Sequence, residues 1–181
     1  MQTKAELRFL AKNLRKELDI KDISKRIISI LNSLSLYKNA KNIAAYYPIG
    51  TEIDLSEIFE NKNKKFYLPK IFPVENKMNF YAYVKGDKLK NNKYNIPEPS
   101  ESVFSPKKLD IIIIPALMCD KLGYRLGYGK GYYDRFLAEN TICAKKVILI
   151  PRELMCENLP KEKFDVPADV IVTQEGAVFI N

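Results

Sequence analysis

LDIIIIPAL, residues 109–117, sets four isoleucines side by side with no polar residue among them. A strand with one wet face alternates apolar and polar residues. An unbroken apolar run is buried on both faces, as at the centre of a parallel sheet. Parallel strands need crossover connections, usually helices, so the neighbouring sequence should alternate strands and helices. It does. Upstream, residues 3–18 predict a helix with Leu7, Leu10, Ala11, Leu14 and Leu18 as its apolar stripe. Residues 23–35 predict a second, with Ile23, Ile27, Ile30, Leu31 and Leu34 facing inward and Asp22 near its cap. NIAAYYPI (42–49), KFYLPK (65–70) and NFYAYV (79–84) read as strands. DLSE (54–57) is a capping-box pattern, with Asp54 as N-cap and Glu57 at the third helical position, and predicts a helix to about residue 61. KYNIPEPSES (93–102) reads as a polar connector.

Downstream, YYDRFLAEN (132–140) predicts a helix and KKVILI (145–150) a buried strand ended by Pro151. DVIVT (169–173) and AVFI (177–180) are strands around a turn at Glu175-Gly176. The pattern implies an α/β fold, a three-layer α/β/α sandwich with an open, mostly parallel sheet. No repeat, low-complexity tract or linker interrupts it, so residues 1–181 read as a single domain.

Composition narrows the chemistry. Apolar residues make up 46% and charged residues 29%, a globular profile, and no apolar run approaches a membrane span. The charged N-terminus lacks the apolar core of a secretory signal. Cys119, Cys143 and Cys156 are odd in number and far apart, which predicts a reducing cytoplasm rather than a disulfide framework. There is no histidine, which removes Ser-His-Asp and Cys-His catalysis and His-ligated zinc. The net charge of +8 favours anionic partners, although lysines scattered among 22 acidic residues also suit plain solvated faces.

GYRLGYGKGYYDRFL (123–137) follows the isoleucine strand closely. In open α/β sheets, ligands bind where a strand hands over to a helix. Gly127, Gly129 and Gly131 alternate, so backbone N–H groups can line an anion nest. The helix opening near Tyr132 adds free N–H groups and a positive dipole end, while Arg125 and Lys130 add full charges. Asp134 would repel a phosphate but suits a magnesium ion bridging to one. The spacing matches neither G-x-x-x-x-G-K-[ST] nor G-x-G-x-x-G. A tight strand-to-helix turn, with glycines serving backbone geometry alone, is the competing reading.

The stretch RLGYGKGYYDR resembles the signature R-L-G-x-G-x-G-Y-Y-D-R of the 5-formyltetrahydrofolate cyclo-ligase (methenyltetrahydrofolate synthetase) family. Arg125, Leu126, Gly127, Gly129, Gly131, Tyr132, Tyr133, Asp134 and Arg135 fill its fixed positions. The resemblance extends to a basic first helix, Y-P-x-x-x-E-I after the first strand, N-I-P-E-P, and V-P-x-D-x-I-V-T near the end. It implies a Rossmann-like sheet related to those of sugar-phosphate isomerases and CoA transferases. It implies ATP and Mg²⁺ as cosubstrate and cofactor, with nucleotide held by Lys4, Arg8 and the run Arg125, Leu126, Gly127, Tyr128, Gly129, Lys130, Gly131, Tyr132 and Tyr133. Lys4, Arg125 and Lys130 would act on the phosphates undergoing transfer. Tyr47 and Glu52, with Tyr132 and Tyr133, would contact the folate. Asp134 and Asp165 would hold the metal ion, with Asp169 as the alternative to Asp165. By composition alone, Lys4 and Arg8 are two charges on a basic helix, Glu52 is a loop charge, and one of the two tyrosines packs on the sheet.

The sequence departs from the family at Phe164, where many members have histidine, and at Tyr128, where some relatives are basic. The implied reaction is ATP-dependent closure of 5-formyltetrahydrofolate to 5,10-methenyltetrahydrofolate by a cytoplasmic monomer, without nucleic-acid or membrane partners. A phosphorylated formyl oxygen leaves readily, and an amide carbonyl carries no proton for a histidine to remove. The competing readings are an isomerase-like or CoA transferase-like enzyme that needs no ATP, and a non-catalytic nucleotide- or RNA-binding module.

Overall fold

The computed structural model describes residues 2–100, 108–139 and 143–180. Twelve strands and four α-helices follow in the order α1 (Lys4–Glu17), α2 (Ile20–Ser33), α3 (Ser35–Asn39), β1 (Asn42–Ala44), β2 (Lys65–Phe72), β3 (Lys77–Tyr83), β4 (Leu89–Asn91), β5 (Pro97–Pro99), β6 (Ile111–Ile114), β7 (Met118–Asp120), β8 (Arg125–Leu126), α4 (Tyr132–Glu139), β9 (Lys145–Leu149), β10 (Met155–Cys156), β11 (Val170–Thr173) and β12 (Gly176–Phe179). Seven strands form the main sheet in the order β12-β11-β9-β6-β1-β2-β3. Its five inner strands are parallel, and β3 and β12 close the edges antiparallel.

The four isoleucines are β6, at the centre of this sheet and almost wholly buried. Ile111 and Ile113 pack toward α2 and α3, with Ile27, Ile28, Leu31 and Tyr37. Ile112 and Ile114 pack on the opposite face, with Leu137 of α4. On that same face α1 lays Leu7 and Ala11 against Ile148 and Ile171. The three layers are therefore α2 and α3, the sheet, and α1 with α4. A small sheet, β10-β7-β8, packs beside α1.

From β1 the chain steps outward to β2 and β3, then returns to β6 and runs the other way through β9 and β11. The order reverses between β1 and β6, so the crevice for a ligand lies beyond their carboxyl ends.

Several expected elements differ. The capping box of α1 forms at Thr3 with Glu6. However, Leu10 and Leu14 are exposed, and the inner stripe is Leu7, Ala11 and the buried Arg15. α2 starts at Ile20 because Asp19, not Asp22, caps it by accepting from the Asp22 N–H. β1 stops at Ala44 rather than Ile49. No α-helix follows Asp54: its Oδ1 accepts from the N–H (2.9 Å) and hydroxyl (2.6 Å) of Ser56, a local turn that competes with a helix start. Only a 3-10 turn, Ile58–Glu60, forms there. Part of the polar connector is strand, since β5 pairs antiparallel with β4. Glu101, Ser102 and Asn140, within two expected segments, lie outside the described residues. No helix among the described residues is long and apolar enough to cross a membrane, and the three cysteines are free thiols.

Candidate active site

Two loops wall the crevice: residues 45–57 after β1, and residues 115–131 after β6, which carry β7 and β8. Asp120 folds the second loop. It is fully buried, and its Oδ1 accepts from the N–H groups of Leu122 and Tyr124, both at 3.0 Å, while Oδ2 accepts from Leu159 N–H at 3.2 Å. The turn it closes holds Gly123 at φ +85, where an added Cβ would stand 2.7 Å from the Ala168 carbonyl. That contact docks the loop on the segment entering β11, with Ala168 N–H donating to the Gly123 carbonyl at 2.9 Å.

Beyond β8, Gly129 (φ +92) and Gly131 (φ +67) take the left-handed conformation that favours glycine. The first intrahelical bond of α4 runs from Arg135 N–H to the Gly131 carbonyl, 3.1 Å. The N–H groups of Tyr132, Tyr133 and Asp134 precede it, leaving donors at the positive end of the helix. Arg135 braces the loop, donating through Nε to the Asn76 carbonyl (2.9 Å) and through NH2 to the Lys130 carbonyl (3.0 Å).

The four cations expected at the nucleotide also lie around this loop. Arg8 Nε donates to the Gly127 carbonyl at 2.9 Å. Lys130 is exposed, its Nζ 5.2 Å from the centroid of the Tyr94 ring. Lys4, one turn before Arg8, pairs with Glu162 (2.9 Å) and Asp165 (3.1 Å). Burial pulls the Lys4 pKa down, but these two carboxylates outweigh it and hold the amine above its ordinary value. Arg125 is almost fully buried; it donates to Asp134 Oδ1 at 2.6 Å and to the Val166 carbonyl at 3.2 Å. Arg125, expected on phosphate, and Asp134, expected on a metal ion, thus hold each other. The two expected metal ligands, Asp134 and Asp165, lie on either side of this guanidinium's reach, each already paired with a cation.

That donor set fits a magnesium ion in number and kind. Two carboxylates suffice when waters and phosphate oxygens complete the shell. Asp134 Oδ2 and Asp165 Oδ1 take no part in these bonds, and no cluster of three or more potential ligands occurs among the described residues. Asp169 is committed elsewhere, to Lys146 N–H (2.7 Å) and Lys146 Nζ (2.8 Å) at the foot of β11.

Across the crevice stands Glu52, only 8% exposed. Its Oε2 accepts from Ile49 N–H at 3.0 Å and its Oε1 from the Tyr128 hydroxyl at 2.8 Å. Burial raises its pKa, opposed by those two bonds and by the nearby charge of Arg15. Arg15 itself is buried and joins both loops, donating to the Thr51 carbonyl (2.8 Å) and the Ala116 carbonyl (2.5 Å). Tyr132 and Tyr133 both pack against the core on the α4 face. The Tyr133 ring meets Phe80, and its buried hydroxyl has no partner among the described residues. Leu126 is buried in the core beside α1, leaving only its backbone for a ligand. Tyr47 is not among Glu52's hydrogen-bond partners: its ring meets Tyr83 edge-on at 6.2 Å and lines a cleft of ≈ 450 Å³ with Phe59 and Leu89. Phe164 is 68% exposed.

Arg15, Asp120 and Tyr94 were not among the residues the sequence singled out. Tyr94 sits at the tip of the β4–β5 hairpin, hydrogen-bonded to Tyr132 and beneath Lys130. Glu98 fixes that hairpin by accepting from Ile71 N–H (3.0 Å) and Asn92 Nδ2 (2.8 Å).

A family model described as the 5-formyltetrahydrofolate cyclo-ligase family matches residues 1–174. The chain belongs to the 5-formyltetrahydrofolate cyclo-ligase family. It is an enzyme, a ligase of folate one-carbon metabolism. A 5-formyltetrahydrofolate cyclo-ligase of Haemophilus influenzae is 35% identical over 146 residues, spanning 75% of this chain and 77% of that protein. One of Mus musculus is 27% identical over 156 residues, 77% and 76% of the two chains. The solved structure of Aquifex aeolicus 5,10-methenyltetrahydrofolate synthetase superposes with a TM-score of 0.86 at 34% identity, covering 99% of this chain and 94% of that one. The expected α/β architecture with its mostly parallel sheet is the cyclo-ligase fold.

Proposed function

We propose that the crevice between β1 and β6 converts 5-formyltetrahydrofolate to 5,10-methenyltetrahydrofolate with ATP and Mg²⁺, releasing ADP and phosphate. The observation that carries this reading is convergence. Lys4, Arg8, Arg125 and Lys130 ring a glycine turn at a helix N-terminus, facing a buried carboxylate on the neighbouring loop. The cations and the free N–H groups of α4 hold the triphosphate and take up charge on the transferring phosphoryl. Glu52 accepts hydrogen bonds from N–H groups of the pterin, which places the formyl oxygen against the γ-phosphate. That oxygen attacks phosphorus and ADP leaves. N10 then attacks the activated carbon, the C–O bond breaks with departure of phosphate, and N10 gives up its proton. Holding the reactants in line supplies most of the rate. Asp134 and Asp165 would hold Mg²⁺, whose charge neutralises the phosphate oxygens. The reading includes a monomer acting in the cytoplasm on small molecules alone.

The test is the near-ultraviolet absorbance of the methenyl product, followed with purified protein. Product formation that requires both ATP and Mg²⁺, with one ADP per product, is the expected result. Cyclisation at an equal rate without nucleotide would overturn the phosphoryl-transfer reading.

A further inference from the structure

Tyr128 belongs by position to the glycine turn, yet its hydroxyl leaves that turn. It crosses the crevice to Glu52, 76 residues away in sequence, and donates to Oε1 at 2.8 Å. The residue on each side is glycine, Gly129 with a left-handed φ, so the turn places few steric limits on where this side chain points. No other side chain donates to Glu52 among the described residues; the only other donor is the Ile49 N–H on the same loop. Arg15 faces the carboxylate from α1, but its hydrogen bonds go to the Thr51 and Ala116 carbonyls, and its buried Nε has no partner among the described residues. Tyr46 on the same loop donates its hydroxyl to the Ile53 carbonyl at 3.2 Å. Tyr133 of α4 is near enough to feel the charge of Glu52 without bonding to it. Among the described residues Tyr128 is thus the one side chain that fixes the carboxylate, and the residue as a whole stays 43% exposed.

We propose that Tyr128 is a positioning residue for the folate half of the site, orienting the Glu52 carboxylate through its hydroxyl rather than serving the nucleotide held by the turn around it. The proposal rests on the reading of Glu52 as the pterin acceptor. A hydrogen bond to the ionised carboxylate favours that form. Without it, burial acts on Glu52 with less opposition, the carboxyl is harder to ionise, and only the Ile49 N–H is left to aim its remaining lone pairs.

The experiment uses Tyr128→Phe, which keeps the ring, with Tyr128→Met as a second variant lacking the hydroxyl. Side-chain carboxyl ¹³C resonances of the whole, ligand-free chain are titrated, with Glu52 assigned by its loss in Glu52→Gln. Both variants are expected to move the Glu52 midpoint to higher pH; an unmoved midpoint in either folded variant overturns the proposal. In turnover, KM for 5-formyltetrahydrofolate at neutral pH rises about tenfold in Tyr128→Phe, the worth of one hydrogen bond to a charged group, and KM for ATP stays within about twofold. The reverse split, with ATP affected and folate unchanged, assigns the hydroxyl to the nucleotide and also overturns it. A wild-type chain that forms no methenyl product sinks the proposed function instead, and the titration still decides what Tyr128 does to Glu52.

Discussion

The two loops that meet at the crevice are built in opposite ways. The loop after β6 is shaped by its own sequence: Asp120 closes its turn, glycines at 123, 129 and 131 set its path, and α4 begins where it ends. Its cations are tied to the loop or to carboxylates beside it: Arg8 to the Gly127 carbonyl, the nearly buried Arg125 to Asp134, and Lys4 to Glu162 and Asp165, while Lys130 is exposed. The loop after β1 has no strand or α-helix; its single left-handed glycine, Gly50 (φ +57), lies in a turn closed by Glu52 N–H donating to the Ile49 carbonyl at 3.1 Å. Beyond its own short-range bonds the loop is tied from outside, by Arg15 on α1 and Tyr128 on the opposite loop, and its Glu52 is buried. Local backbone geometry sets the path of the first, the loop proposed to hold the phosphates. Long-range contacts make the second an acceptor whose protonation and aim depend on its neighbours.

This contrast breaks most visibly at Arg15. Arg15→Ala strands the buried Ala116 carbonyl, releases the Thr51 carbonyl and opens a cavity, so a stability loss of about 3 kcal/mol is expected in urea unfolding. A loss below about 1 kcal/mol would mean that the two loops hold without it. Within the glycine loop, Gly123→Ala should cost about 2 kcal/mol, because the position combines a positive φ with a backbone contact at 2.7 Å. Gly127→Ala, with no positive φ and nothing within 4 Å of the added carbon, should stay within about 0.5 kcal/mol. Equal effects at the two sites would refute the local account of the loop. Lys130→Ala should raise KM for ATP about tenfold, or 1.4 kcal/mol, while thermal unfolding stays unchanged. A matching change in folate KM would merge the two halves of the site.

The smallest effect is a pH dependence. The folded-state pKa of Glu52 is raised chiefly by burial, so the folded chain binds this proton more tightly than the unfolded chain. Its contribution therefore falls as pH rises from the ordinary carboxylate range through the folded value. Glu52→Gln should remove that slope, so wild type loses stability relative to the variant over this window, while folate binding is lost. A variant that keeps the wild-type slope would place the titration on another group.

The same contrast explains what could be read from the residues alone. The four isoleucines gave both-face burial, and with it the sheet centre and the crevice at its end. RLGYGKGYYD gave the turn, the helix after it and the residues around it, because those features are local. Arg15 stayed hidden among the basic residues of α1; only the path of two distant loops buries it in place of Leu10 and Leu14. The expected helix at Asp54 failed for a local reason. Leu55, Ile58 and Phe59 point into the core at a spacing one helical face would also give, so the apolar pattern alone does not exclude the helix, and the turn that Asp54 makes with Ser56 decides against it. Tyr94 reaches the site through a hairpin fixed by Glu98, and no local motif signals that reach.

The central claim is that phosphoryl transfer to the formyl oxygen occurs in this crevice. Substrate carrying ¹⁸O in its formyl group tests it most directly, with the phosphate released during turnover analysed by mass spectrometry. The label is expected in that phosphate, one atom per methenyl product. Unlabelled phosphate, with the ¹⁸O recovered in water, would contradict the account.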